Sequence, residues 1–230
     1  IWKVPAGTIP AEPGYHAVDM FRALKRGDIK TIWIQTTNPW VTLPNRSRFD
    51  RAPNDGRFVV VSDIYPTPTT AMADLILPAA AWVEREGVYG NTERRTQQWN
   101  KLIEPPGEAR EDAWAVIQVA KRMGMGHLFP WPDDSWHEPM FEEYREFGVG
   151  HGKDLASYAQ LKETRGMLWP VVNGKETPYR YTAGYDPYVK KPSGAHFYKA
   201  TGYGEKAAFW LRPYHPAGES PDAEFPVRLT

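Results

Sequence analysis

RFVVVSD, residues 57–63, sets four consecutive apolar side chains between an arginine and a Ser-Asp pair. A strand with one wet face alternates apolar and polar residues. An unbroken apolar run fits a strand covered on both faces, and such strands belong to parallel sheets with crossover connections. Two neighbouring segments are of the same kind. IKTIWIQT (29–36) is rich in β-branched residues and ends at Thr-Thr-Asn-Pro, and DLILP (74–78) reads as another short buried strand. Before them, GYHAVDMFRALKRG (14–27) places Val18, Phe21 and Leu24 on one helical face, with Gly27 as its stop. Residues 39–56 are expected to be loop or ragged helix, and 64–73 a turn followed by a short helix from about Thr67. Helix, strand, loop, strand, helix, strand is an α/β order with short crossovers.

EAREDAWAVIQVAKRMG (108–124) is the clearest helix, with Trp114, Val116, Ile117, Ala120 and Met123 at helical spacing. Its early acids and late bases suit the helix dipole. After about residue 126 the texture changes, so we divide the chain into 1–126 and 127–230. FPWPDDSWHEP is a connector, and 140–148 and 155–166 are short helices. From 167 onward, short β segments are expected between NG, AG, SG and GYG turns, with EFPVRLT as a final strand. The second part is therefore an irregular α+β extension of an α/β domain.

Composition narrows the function classes. Twenty-eight basic and 28 acidic side chains cancel, so no general attraction to nucleic acid or membrane follows. No apolar run is long enough for a membrane helix. The first residues show no signal-peptide pattern, and an isoleucine start suggests a mature product or a fragment. The absence of cysteine rules out thiolate metal ligands, cysteine-held iron–sulfur clusters and a cysteine nucleophile within these residues.

In open α/β sheets, ligands bind beyond the carboxyl ends of the strands. Two strands here end in polar residues: Thr36, Thr37 and Asn38, then Ser62 and Asp63. Asp63 could accept hydrogen bonds from a guanine edge or hold ribose hydroxyls; it could equally form an Asx turn before Pro66. In the charged stretch 84–95, Arg85, Asn91 and Arg94 or Arg95 are candidate ligands, arginine by its bidentate fit to phosphate. The competing reading is a turn in which Glu84, Glu86 and Glu93 pair with the arginines. Neither GxGxxG nor GxxxxGK[ST] nor GxSxG occurs, and the six histidines are scattered. The aromatics of 197–214 read as packing rather than base stacking.

ADLILPAAAWVEREGVYGNTERRTQQW (73–99) resembles a signature of the molybdopterin-dependent oxidoreductases, the group containing nitrate reductases, formate dehydrogenases and dimethyl sulfoxide reductase. Within it the chain is most similar to the catalytic subunits of periplasmic nitrate reductases. The segments GTIPAEPGYHAVDMFRALKRG (7–27), VVVSDIYPT (59–67), PPGEAREDAW (105–114), FEEYREFGVGHGKDL (141–155), RGMLWPVVNGKETPYRY (165–181) and DPYVK (186–190) carry that likeness in the family's order. The resemblance implies part of an α/β domain that binds one of two molybdopterin guanine dinucleotides of a Mo-bis(molybdopterin guanine dinucleotide) cofactor, followed by an extension towards a C-terminal β-barrel. Asn38 matches a cofactor-contacting asparagine, Ser62 and Asp63 the pair that meets the guanosine, and Asp112 a cofactor-contacting aspartate. Arg85 stands where close relatives have a cofactor-binding lysine, keeping the charge but replacing a point charge with a fork. The family's [4Fe-4S] cysteines and molybdenum-ligating cysteine have no counterpart here, which implies an internal fragment, or a protein whose other portions lie in separate chains, inactive alone. The resemblance further implies nitrate as the intact enzyme's substrate, a small dihaem c-type cytochrome as partner and a periplasmic location. An assimilatory nitrate reductase, a formate dehydrogenase or a non-catalytic nucleotide-binding module are the alternatives.

Overall fold

Three strands, β1 (Thr31–Gln35), β2 (Phe58–Asp63) and β3 (Leu75–Pro78), form a parallel sheet in that spatial order. This computed structural model describes residues 4–49, 55–190, 209–216 and 218–228. The central position of β2 explains its unbroken apolar run: Val59, Val60, Val61 and Ser62 are all buried. Helix α1 (Ala17–Arg26) ends at Gly27, whose φ of 85° closes the helix with N–H bonds back to Ala23 and Leu24. Its Phe21 and Leu24 pack with Ile32, Ile34, Val59 and Val61. Trp40, from the single turn α2 (Pro39–Thr42), and Phe49 complete this core, each ring edge-on to Phe21.

Two sequence expectations fail in this region. The helix expected from Thr67 is only a 3₁₀ turn, Thr70–Met72. Thr67 and Thr70 bond each other's backbone N–H through their hydroxyls, an alternative to helical bonding that threonine favours. Strand β3, at one edge of the sheet, is not buried: Leu75 and Ile76 are 44% and 49% exposed.

The charged stretch 84–95 is not simply a turn either. β4 (Gly87–Gly90) and β5 (Arg95–Trp99) pair as an antiparallel hairpin, joined by β6 (Met167–Leu168) on the far side of β5. Asn91 builds the hairpin's turn, its Oδ1 accepting the N–H of Glu93 and of Arg95, with Arg94 left-handed at φ 68°. At Gly87 a Cβ would lie 3.2 Å from the Trp99 ring, so glycine there lets the indole cover the strand.

Helix α3 (Asp112–Ala120) buries Ile117 and Ala120 but leaves Val116 exposed, and the chain winds on through a π turn to Met125 in which Met123 is exposed too. Helices α4 (His137–Glu146) and α5 (Tyr158–Thr164) then build a second core of Phe141, Ala156, Tyr158, Leu161, Met167 and Val171. A true capping box at Ser157 and Gln160 starts α5.

The chain falls into two compact units, Ile1–Thr177 and Pro178–Thr230. In the second, the buried Asp186 organises its own loop by accepting the N–H of Tyr181 and Tyr188 and a bond from Arg180. Past Lys175 the described residues hold no strand, in contrast to the β segments expected there. Residues 191–208, which include most of the expected aromatic β region, lie outside the described residues.

Candidate functional site

The parallel sheet delivers its polar residues to one edge. In register, Gln35 lies beside Ser62, Ser62 beside Leu77 and Asp63 beside Pro78, all at the carboxyl ends. Directly after β1, Thr36 is left-handed at φ 58°, an uncommon conformation for a β-branched residue, and turns the chain towards Asn38. Asn38 caps α2, and its Oδ1 accepts the hydroxyl of the fully buried Thr69. Thr69 in turn accepts the Trp40 N–H at 3.1 Å. The Asn38 carbonyl oxygen is thus committed, and its amide is the donor that no described residue takes.

Ser62 is 3% exposed, and its Oγ accepts the indole N–H of Trp33 at 2.8 Å. Asp63 forms the Asx turn weighed from the sequence: Oδ1 accepts from Ile64 at 2.7 Å and Tyr65 at 3.3 Å. That turn occupies one carboxylate oxygen and leaves Oδ2, so turn and ligand readings are compatible.

Arg85 and Asp112 arrive from different elements. Arg85 lies two residues before β4, and Asp112 opens α3. The approach of α3 is set by a short parallel bridge between Ala79 and Arg110, with Arg110 N–H on Pro78 O and Ala80 N–H on Arg110 O. This places Asp112 with Ser62 and Leu77 around a cavity of ≈ 70 Å³. At about 30 Å³ per water such a cavity holds about two waters, so it is a notch at the site's floor. Arg85 Nη1 stands 3.5 Å from Asp112 Oδ2. Burial pushes the Asp112 carboxyl above its usual range; Arg85 opposes this, and the charge of Asp63 adds to it. The Asp63 charge reaching Asp112 means that strand end and helix start share one electrostatic neighbourhood.

The rest of 84–95 is only partly self-paired. Glu93 pairs with Arg95 at 2.8 Å. Arg94 instead bonds the carbonyls of Trp169 and Thr177, Glu84 accepts the Ala81 N–H, and Glu86 accepts the Tyr158 hydroxyl. These contacts hold the hairpin and leave Arg85 as the arginine aimed at the site.

Three buried polar atoms at the site have no hydrogen-bond partner: Gln35 Nε2, Arg85 Nε and Asp112 Oδ1. Leaving such atoms unpaired costs about 1–3 kcal/mol each. Two donors and a carboxylate acceptor suit a nucleotide, which offers acceptor oxygens on its phosphates and donor N–H groups on a guanine edge. The set of donors and acceptor therefore fits a nucleotide-bearing group. Gln35 was missed from sequence; the available signal was a polar residue closing an otherwise apolar alternation in β1. No group of three or more His, Asp or Glu residues among the described ones could hold a metal ion.

The sequence profile described as Molybdopterin oxidoreductase matches residues 3–122. Among solved structures, acetylene hydratase from Pelobacter acetylenicus superposes with a TM-score of 0.50 at 22% identity over 70% of this chain. The chain spans 22% of that protein's length. The similarity extends to the mixed fold, a parallel three-stranded sheet accompanied by an antiparallel one.

Proposed function

The chain belongs to the molybdopterin oxidoreductase family, and from that premise we propose that it is the part of a molybdenum enzyme that holds a guanine dinucleotide end of Mo-bis(molybdopterin guanine dinucleotide). The observation that carries this reading is the set of orphaned buried atoms on Gln35, Arg85 and Asp112 at the carboxyl edge of the parallel sheet. In this reading Asp63 Oδ2 and Asp112 Oδ1 accept from the guanosine, the Asn38 amide and Arg85 donate to its oxygens, and the Ser62 hydroxyl, fixed by Trp33, donates from the floor. When bound, the cofactor supplies oxygen-atom transfer, taking nitrate with two electrons and two protons to nitrite and water. This chain's residues bind and orient; they do not touch nitrate.

Nitrate as the substrate rests on the motif likeness, above all RGMLWPVVNGKETPYRY (165–181). The same likeness supports a periplasmic enzyme fed by a small dihaem c-type cytochrome. A [4Fe-4S] cluster would need ligands outside these cysteine-free residues. The test uses the intact protein that contains this chain, purified with its cofactor. We expect bound molybdenum, guanine nucleotide released by acid, a molybdenum(V) paramagnetic signal on partial reduction, and nitrite formation with a reduced viologen dye. Cofactor without nitrate turnover, but with formate oxidation, would move the assignment to a formate dehydrogenase. Absence of both molybdenum and guanine nucleotide would sink the reading altogether.

A further inference from the structure

Strand β1 divides its side chains cleanly: Ile32 and Ile34 enter the core shared with α1, and Trp33 and Gln35 take the opposite face. On that face Gln35 is the register partner of Ser62, so the two side chains stand next to each other at the carboxyl edge. The hydroxyl of that neighbour, Ser62 Oγ, already takes the Trp33 indole N–H at 2.8 Å. Gln35 Nε2 remains buried without a partner. An amide nitrogen can only donate, so whatever completes this site must bring an acceptor.

We propose that Gln35 is a further dinucleotide-binding residue, donating from Nε2 to an acceptor oxygen of the bound cofactor, either the guanine carbonyl or a phosphate oxygen. The inference rests on the proposed cofactor role. Gln35 lies one strand away from the cavity shared by Ser62 and Asp112, on the β1 side of β2, so it extends the polar edge from β3 to β1. The ligand then meets polar side chains at the ends of both β1 and β2. It also makes the cofactor-free protein the strained partner, because the orphaned amide is relieved only on binding.

The test again uses the intact protein, with and without cofactor, carrying Gln35→Met, which removes the donor at similar size, or Gln35→Glu, which offers an acceptor in its place. For Gln35→Met we expect the cofactor-free melting temperature to stay or rise and the loaded one to fall. Guanine nucleotide retained through gel filtration should dissociate roughly tenfold faster. Gln35→Glu should retain less still. Titrating the cofactor-free protein with GDP and with inorganic pyrophosphate separates the two acceptors: loss for GDP alone points to the carbonyl, equal loss for both points to phosphate. Equal falls in the loaded and cofactor-free melting temperatures would overturn the proposal, since the amide would then have a protein partner. So would retention equal to wild type. In either case a loaded wild type would leave the cofactor role standing, whereas an empty wild type would defeat that role itself.

Discussion

Replacing Tyr158 with phenylalanine should weaken the protein far more than the loss of one oxygen suggests. Tyr158 is 1% exposed, and its hydroxyl donates to Glu86 Oε1 at 2.6 Å, joining α5 to the residue next to Arg85. Burial, and then the bond to Glu86, push its hydroxyl pKa well above the ordinary phenol range. A hydrogen bond to a charged acceptor contributes about 1.5–3 kcal/mol, and Tyr158→Phe also leaves the Glu86 carboxylate half-buried and short of a donor. We expect a loss of about 2 kcal/mol, which for a chain of this size is roughly 4–8 °C in melting temperature. Chemical denaturation followed by circular dichroism measures it. Glu86→Gln keeps an acceptor without the charge and should cost about half as much. If the bond carries the effect, the double variant is little worse than Tyr158→Phe alone. The pH dependence has a fixed sign. Because the folded pKa is raised, the tyrosine's contribution is whole below the unfolded value of 10.0 and is lost as pH rises through the folded one. The gap between wild type and variant should therefore be flat at neutral pH and narrow above it. A change within about 0.5 kcal/mol, or an additive double variant, would refute the reasoning.

Thr69→Val keeps the shape of a fully buried side chain but removes the hydroxyl that bonds Asn38 and accepts the Trp40 N–H. We expect a loss of about 1–3 kcal/mol in urea unfolding, and weaker cofactor retention because Asn38 is no longer held. A variant as stable as wild type would contradict the placement of Asn38. Asp112 has its folded pKa raised, chiefly by burial, so its favourable contribution exists below the unfolded value of 3.8 and disappears as pH rises through the folded one. Relative to Asp112→Asn, the cofactor-free wild type should lose stability as pH rises above 3.8 through the folded value, and urea midpoints that run parallel across that rise would speak against it.

The parallel sheet was readable because its centre writes a physical signature: Val59, Val60 and Val61 are buried in succession, as in a strand covered on both faces, and only the leading Phe58 of the run is exposed. α1 was equally plain, since its apolar spacing and Gly27 agree. β3 was misjudged because LILP has the same composition whether it is central or at an edge, and only the strand order separates the two. The hairpin escaped notice since its strands, Gly87–Gly90 and Arg95–Trp99, are polar or glycine-rich and are held by the local turn at Asn91, the Trp99 ring over Gly87 and the distant β6. At the site, spacing alone could not promote Arg85 over Arg94 and Arg95. Those two are taken by Trp169, Thr177, Gly166 and Glu93, partners that are mostly about seventy residues or more away along the chain.

The two sheets also differ in how the chain must travel to make them. β1, β2 and β3 are neighbours in both sequence and space, all within residues 31–78. The second sheet is complete only when Leu168 reaches Arg95, a far longer loop to close. Loop closure costs more as the loop lengthens, so the edge carrying Asn38, Ser62 and Asp63 needs the smaller closures. Glu86, the neighbour of Arg85, is instead held by Tyr158, 72 residues further along the chain. In the proposed reading, the nucleotide is held partly by residues joined through short loops and partly by Arg85, whose neighbour Glu86 depends on a contact from far along the chain.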